Sequence, residues 1–567
     1  MNSQEEPTRN LKSATAWMAI GTGASRFTGV LRIVALAFAL GQTHLADAYN
    51  LANTTPNMIY DVVLGGIMMA TFIPVFADQF AKYSERDAMR SISAVITLSG
   101  VILVCASIAF WFAAPILIDG LTALDKPAHA LSSYSVASER AVAVTLLRWF
   151  VPQIAFYGFI AIATALLNIR RRFIVATWVP IVNNIISISV LLWFAAIAGS
   201  NPTLLSVEKH HSQLMLLGLG TTLGVAIQAV VLIVNLRGAR LELLRWRWDP
   251  RDQAVLTVLR LSGWTFGFIL ANQATLFVIL ALAGGTHGSD PVSSYTYAYS
   301  FLLMPYAVVA VSVMSAVTPE LAEYWSAQNL AGFTNRLSKG LRAILAIIIP
   351  AAIGMILLAR PVIGLLLGHG HTTAAGASQS TGAALAMFSL GLPGFCTYLY
   401  VVRILQAMQQ TRTAFWLYLI ENGLNVGFAL LLVGPIGVRG LALSLSIAYT
   451  VAAIIGLLVL RHRLGPLGQP QSWSSLRRAS IISVVMGLVV LVTSSLWGAT
   501  SEIGSLFKVV FATGSGVATY AGAAYLMARR NDKKARLHQK MRTDALRNLE
   551  PASRIQPQRG LPKKPRE

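Results

Sequence analysis

Apolar runs of about 20 residues, each long enough to cross roughly 30 Å of hydrocarbon, recur along almost the whole chain and are separated by short polar or basic segments. They predict spanning helices near 15–40, 47–77, 92–117, 141–168, 173–198 and 214–236. A second group falls near 254–283, 292–319, 341–366, 381–407, 414–434 and 438–460, and a final pair near 480–498 and 504–528, about fourteen in all. The second run is long and carries Pro56 and Gly65–Gly66, so it is expected to bend at one of them. Irregular backbone is tolerated at membrane depth where it lines a cavity or packs on protein. The first run has the small residues Ala35, Ala37 and Ala39 that a secretion signal would offer. Arg32 interrupts it, however, and it outlasts a signal's apolar region, so it reads as a retained helix.

Composition agrees: 55% of the 567 residues are hydrophobic and 12% charged, against about 25% charged in a soluble domain. The mean hydropathy is +0.61. The chain is therefore read as an all-α polytopic membrane protein. Against that background the ionisable groups inside the runs stand out, above all Arg26 and Arg32 in the first and Asp47 and Asp61 in the second. Such groups cost about 2.5–3.5 kcal/mol each on insertion scales, so they face a polar cavity, a partner or a substrate rather than lipid. Two readings of the hairpin stand side by side: the arginines line a cavity, or they pair with Asp47 or Asp61 and tie the two helices. Further embedded charges are Arg148, Arg260, Arg403, Glu421 and Lys508. Arg260 and Lys508 lie near span ends, where long side chains snorkel to the interface.

Charge asymmetry predicts the topology. With the N-terminus cytoplasmic, alternate loops carry Lys82, Arg86 and Arg90; Arg170, Arg171 and Arg172; Arg237 to Arg251; Arg336, Lys339 and Arg342; Arg412; and Arg461 to Arg478. The opposite loops hold little beyond Lys126, Lys209 and Arg439. This inside-positive pattern places both termini in the cytoplasm. It also accounts for most of the net charge of +22, together with a basic tail over 529–567. Such a tail sits against anionic lipid or recruits partner proteins, and nothing in it calls for nucleic acid. The tail is expected to be disordered over 529–567, most of all at its Pro-, Gln- and Arg-rich end.

Several classes of chemistry lack their motifs. There is no G-x-x-x-x-G-K-[ST], H-E-x-x-H or G-x-S-x-G, so neither an ATPase nor a hydrolase is indicated. The two cysteines, Cys105 and Cys396, lie far apart in apolar runs and form no disulfide or metal framework. His369 and His371 read as an outer turn, and Gly218, Gly220 and Gly224 as close helix packing rather than a dinucleotide fingerprint. The chain reads as no enzyme, with no cofactor and no metal.

An internal repeat organises the spans. Phe72-Ile-Pro74-Val-Phe-Ala77-Asp78 in the second run matches Val317-Thr-Pro319-Glu-Leu-Ala322-Glu323 in the eighth. Leu167-Asn168…Arg172…Trp178…Asn183-Asn184 likewise matches Met408-Gln409…Arg412…Trp416…Asn422…Asn425. Matching helices enter the membrane in the same sense, so the repeats are parallel. Two six-helix lobes are expected, 1–237 and 238–462, followed by a two-helix element, 463–528, with the site between the lobes.

Particular residues then resemble a known family. Ser25-Arg26-Phe-Thr-Gly29-Val-Leu-Arg32, Ala46-Asp47-Ala48-Tyr49, Thr55-Pro56-Asn57 and Phe72-Ile-Pro74-Val-Phe76 are similar to the opening of the MurJ/MviN lipid II flippases. Leu358-Ala-Arg360-Pro361, Leu367-Gly-His369-Gly370, Leu390-Gly-Leu-Pro393 and Gln410-Thr-Arg412-Thr413 resemble later helices of that family. The resemblance implies membership of the multidrug/oligosaccharidyl-lipid/polysaccharide exporter superfamily, a V-shaped cavity between the lobes and a C-terminal groove for a polyprenyl tail. The implied cargo is undecaprenyl-diphosphate bearing the disaccharide-pentapeptide precursor of peptidoglycan.

With that cargo in view, Arg26 and Arg32 are candidates to grip the pyrophosphate, because the guanidinium fork matches phosphate oxygens and never deprotonates. They lie about 9 Å apart along a helix and about 120° around it, so they can flank one diphosphate. Ser25, Asp47, Asn57 and Asp61 join them as expected substrate-binding residues, and Arg148, Arg403, Glu421 and Ser300 as expected cavity or coupling residues. Many members carry two adjacent arginines after the Pro-Asn step and an arginine in the eighth helix; here stand Tyr60-Asp61, Gly65-Gly66 and Ser300, a version similar to actinobacterial relatives. The expected function is alternating-access flipping driven by the membrane potential or a gradient of H+ or Na+. The alternatives are export of another polyprenyl-linked glycan or a drug, or a non-transporting scaffold for cell-wall synthesis proteins.

Overall fold

The computed structural model describes residues 5–41, 43–62, 72–125, 136–170, 172–199, 202–237, 245–286, 290–368, 377–466, 470–496 and 502–548. Every regular element among them is a helix: α1 (Glu5–Leu40), α2 (His44–Tyr60), α3 (Ile73–Lys82), α4 (Glu85–Leu121), α5 (Val136–Phe150), α6 (Gln153–Ile169), α7 (Phe173–Ala198), α8 (Leu204–Lys209), α9 (His211–Arg237) and α10 (Gln253–Gly284). The chain continues through α11 (Pro291–Pro305), α12 (Val311–Ser326), α13 (Leu330–Leu367), α14 (Ala377–Leu390), α15 (Leu392–Ala407), α16 (Thr411–Ile436), α17 (Val438–Leu464), α18 (Pro470–Ser495) and α19 (Glu502–Asn548).

The helix ends are written in local chemistry. Ser84 opens α4 by accepting from Asp87 N at 3.3 Å, Asp252 opens α10 by accepting from Ala254 N at 2.9 Å, and Asn329 opens α13 by accepting from Gly332 N at 2.8 Å. Gly437, with φ of 57°, turns α16 into α17, and Gly465, with φ of 78°, ends α17; both positions strain any residue with a Cβ. At Leu390-Gly391-Leu392-Pro393 the chain bends by 51° between α14 and α15. Proline removes a ladder donor there, and Gly391 lets the backbone pass directly against Ser446 of α17.

Among the described residues, twelve helices are long and apolar enough to span a membrane, or thirteen if the bent α14–α15 pair is one span. The second of the fourteen expected spans, 47–77, is not among them: its residues 63–71, with Gly65–Gly66, lie outside the described residues. The bend expected at Pro56 is absent, since α2 runs through it and loosens into a π-helical turn at Asp61–Val62. His369, His371 and the chain beyond 548 also lie outside the description. The tail corrects another expectation: 529–548, expected to be disordered, continues α19 as helix. Its Ala, Arg, Lys, Leu, Met and Gln are good helix formers, and α19 is already nucleated in its apolar part.

One hydrophobic core runs through both halves of the sequence, from Ala35 to Leu460. Small residues set the closest approaches: a Cβ at Gly218 would lie 2.6 Å from Trp149, one at Gly220 2.6 Å from Val190, and one at Gly224 2.6 Å from Asn183. The three glycines are thus helix-packing positions, as expected. Helix α1 packs along α7, where Asn184 Nδ2 donates to the Ser25 carbonyl (3.2 Å) and to Thr28 Oγ1 (3.0 Å). At the end of the bundle where α1 finishes and α2 begins, α2 meets α11 and the end of α4 meets the end of α10. The last pair, α18 and α19, packs together against α13, with Tyr520 Oη donating to the Ala346 carbonyl.

Candidate functional site

Polar side chains from several helices converge between the first and second halves of the chain. Tyr157 of α6 is the centre of one group: its hydroxyl donates to Gln153 Oε1 at 3.1 Å, and it lies within electrostatic reach of Asn57, Arg32 and Asp61. Tyr60 stands beside it, the rings 5.6 Å apart. Asp61, in the π-helical turn after α2, accepts from Gln273 Nε2 of α10 at 3.2 Å, which links this group to the second half of the chain. Arg32, Asn57 and Asp61 are therefore brought together, and Asn57 also donates back to the Asn53 carbonyl at 2.9 Å. Ser25 contributes its backbone to the α1–α7 joint described above.

A second group gathers at Tyr306, which opens a π-helical turn over Tyr306–Ala310 directly after Pro305. Arg26 from α1 and Arg403 from α15 both lie within electrostatic reach of this one tyrosine. Its ring is fixed edge-on against Phe395, centroids 4.9 Å apart. Arg403 also reaches Tyr418. Among the described residues Arg26, Arg32, Arg148 and Arg403 form no ion pair, so the alternative in which Arg26 and Arg32 tie α1 to Asp47 or Asp61 is not what is found. Arg148 is exposed in the last turn of α5, and no described contact joins it to either group. Ser300 turns its hydroxyl back to the Thr296 carbonyl at 2.9 Å within its own helix.

Asp47 lies elsewhere than the arginines. Its carboxylate is buried and accepts from Ser293 N at 2.7 Å and Val292 N at 3.2 Å, the free amides at the start of α11. An anion placed on a helix N-terminus satisfies orphan donors and meets the positive end of the dipole. Asn50 adds a bond to Ser293 Oγ at 3.0 Å, while Ser294 bonds Asp290 at 2.9 Å and Thr381 at 3.0 Å. The result is a polar seam that closes α2 onto α11. His44 Nδ1 lies 3.6 Å from Glu139 Oε2, and ligand atoms of His44, Asp47 and Glu139 come within 4.8 Å of one another. Both Asp47 oxygens already serve α11, so the seam is a joint between helices.

Glu421 of α16 is buried, 1% exposed, among Tyr295, Tyr299, Tyr398, Tyr418 and Tyr449, all within its electrostatic reach. Its Oε2 and the hydroxyl of Tyr398 have no hydrogen-bond partner. Asn422 bonds its own helix at the Tyr418 carbonyl (2.9 Å), and Asn425 accepts from Ser444 Oγ at 3.0 Å. Sequence reasoning missed Tyr157, Tyr306, Gln273 and the Glu139–Asp290–Ser293 seam. The signal available for the last was Asp290-Pro291, an N-cap residue before a proline at the first helical position.

Among the described residues, twelve or thirteen helices long and apolar enough to span a membrane, packed on one core, define an all-helical membrane-protein fold. It is similar to a multidrug-resistance MATE family transporter of the MOP superfamily in its inward-facing conformation (TM-score 0.64, 14% identity, 79% of this chain and 98% of that one). It is more similar to a structure described as lipid II flippase MurJ, inward closed conformation (TM-score 0.71, 22% identity, 90% and 99%). A protein of Rhizobium tropici described as a probable lipid II flippase MurJ is 27% identical over 84% of this chain and 86% of its own. The family model for lipid II flippase MurJ matches residues 36–512, and the chain belongs to that family.

Proposed function

We propose that this protein carries lipid II from the cytoplasmic to the outer leaflet of the bacterial plasma membrane by alternating access. The lobes 1–237 and 238–462 rock about the central site, the element 463–528 guides the polyprenyl tail, and both termini lie in the cytoplasm. In this orientation the α2–α11 seam is the outer gate, closed here by Asp47. The observation that carries the reading is the convergence of Arg26 and Arg403 on Tyr306 from the two halves of the chain, with no carboxylate paired to either among the described residues. Both guanidinium groups are exposed, and their planar forks suit a diphosphate, which supplies the missing anions. Arg32, beside Tyr157, Asn57 and Asp61, continues the polar path toward the sugar-peptide portion.

Driving energy enters as charge movement or cation binding, through the membrane potential or an H+ or Na+ gradient, since one elementary charge is worth about 2.3 kcal/mol per 100 mV. Glu421, with one oxygen unsatisfied in its tyrosine cage, is the group assigned to that coupling. The basic tail meets anionic lipid or cell-wall synthesis proteins at the cytoplasmic surface.

The test is complementation of a flippase-depleted strain. Arg26→Ala and Arg32→Ala should each abolish growth at normal membrane levels of protein. Undecaprenyl-diphosphate sugars should co-purify with the wild type and not with the double variant. Full complementation by both single variants, or equal lipid retention, would refute the assignment.

A further inference from the structure

A groove outside the central cavity has no part in the function above. Residues 245–249, between α9 and α10, are non-helical and lie along the third and fourth turns of α4. Arg245 N donates to Ser93 Oγ at 3.3 Å and Arg247 N to Thr97 Oγ1 at 3.1 Å, two hydroxyls one helical turn apart. Non-helical backbone near a membrane needs such partners, and α4 supplies them from buried side chains. The far end is pinned by Ser91 Oγ donating to Asp252 at 3.0 Å and by Arg247 pairing with Asp249 at 2.8 Å. Trp246 and Trp248 are left 77% and 57% exposed.

Just past Thr97 the surface of α4 drops at Gly100, where a Cβ would meet nothing within 4 Å. A groove of about 400 Å³ opens there, floored by Gly100, Val104, Cys105 and Phe159, with Arg245 and Trp246 at its mouth. From Ser93 to Cys105 the helix rises about 18 Å, close to the roughly 15 Å depth of one leaflet. One end is thus at headgroup level and the other near the bilayer midplane. Arg247 is neutralised by its neighbours, but Arg245 and Arg251 are exposed and form no ion pair among the described residues. Exposed Trp beside Arg is the composition of an interfacial anchor, and the inner leaflet is the anionic one.

We propose that this groove binds one anionic phospholipid of the cytoplasmic leaflet, its phosphate on Arg245 and one acyl chain lying over Gly100 toward Cys105. The inference rests on the inside-positive orientation proposed above. The seated lipid lies against both residues 245–249 and α4 and so strengthens the contact that Arg245 and Arg247 make with Ser93 and Thr97.

Native mass spectrometry of the full-length protein, titrated with phosphatidylglycerol or with phosphatidylcholine of the same chains, tests this. The first phosphatidylglycerol should bind about fivefold more tightly than phosphatidylcholine, the effect of one basic residue at the surface. Arg245→Ala should remove that preference. Gly100→Leu, whose side chain enters open space and leaves the fold intact, should remove tight binding of either lipid. Phosphatidylglycerol with a photoreactive group at its acyl terminus should label the peptide containing Cys105, and unlabelled phosphatidylglycerol should compete. Indifference of binding to both variants, or competition only by a polyprenyl diphosphate, overturns the proposal. Separately, a cysteine at Trp248 in a Cys105→Ser background should react with an impermeant maleimide only in opened cells. Reaction in intact cells would overturn the orientation, while the titration still decides whether the groove binds the lipid.

Discussion

Arg26 and Arg403 lie within electrostatic reach of one tyrosine although 377 residues separate them, and this shows what single residues disclose alone and what they need a fold to disclose. Arg26, Arg32 and Glu421 were legible because an ionisable group in an apolar run has few explanations. Asp47 and Asp61 look alike in that light, yet one serves backbone amides of α11 and the other a glutamine of α10. No local pattern separates them, because the difference lies in long-range partners. For Glu421 the unsatisfied Oε2 gives a direct prediction. Glu421→Gln should keep co-purifying lipid while losing complementation, whereas loss of lipid binding as well would place it in the substrate site. Asp125, in the turn after α4, is a second residue-scale case. Burial against the Gly284 end of α10 pushes its carboxyl up to about 6, with Arg140 pulling it partly back. A carboxyl that holds its proton more tightly when folded favours the folded state increasingly as pH falls through that value, down to the unfolded pKa of about 3.9. Asp125→Asn should therefore be the more thermostable form in detergent at about pH 7.5, the gap to wild type narrowing by about pH 5. A constant gap would show that charge is not the cause.

At the scale of elements, hydropathy located nearly all the spans because their length is set by the bilayer and their ends by basic loops. At 47–77 the run holds α2 and α3, and residues 63–71 between them lie outside the described residues. The tail reads as disordered, yet α19 carries its helix onward over 529–548, because composition reports burial in lipid, while helix continuity depends on propagation from an existing helix. Packing between elements shows most clearly at glycines. Gly220 faces Val190 with a Cβ position 2.6 Å away, whereas a Cβ at Gly263 of α10 would meet nothing within 4 Å. Gly220→Leu should cost about 1–3 kcal/mol through forced helix displacement, and Gly263→Ala should be neutral or slightly stabilising. Thermal unfolding of the two purified variants checks this; equal midpoints would mean α7 and α9 yield freely.

At the scale of the whole molecule, the repeat read from the sequence fits the place proposed for the gate. At the offset that matches Pro74 with Pro319, Asp47 matches Val292, and these equivalent positions are the ones that touch: the carboxylate of one accepts the amide of the other. Elements related by an axis along the membrane normal meet themselves at that axis, so the starts of α2 and α11 form the natural latch. The irregularities correspond as well, a π-helical turn following each helix at Asp61 and at Tyr306. The sequence shows the repeat but not which end of the paired helices is closed, since that depends on the contact Asp47 makes. Asp47→Ala strips both amides of their acceptor, and a buried donor left unsatisfied costs about 1–3 kcal/mol. Because about 1.4 kcal/mol is a factor of ten in population, the closed gate should give way measurably. A reporter is at hand: Val292, 2% exposed, is close in size to cysteine. In a Cys105→Ser background, Val292→Cys should react with an impermeant maleimide from outside about tenfold faster when Asp47 is Ala. With Asp47→Asn, which still accepts one amide, the rate should fall between. If all three react alike, Asp47 merely caps a helix and the latch lies elsewhere along the seam.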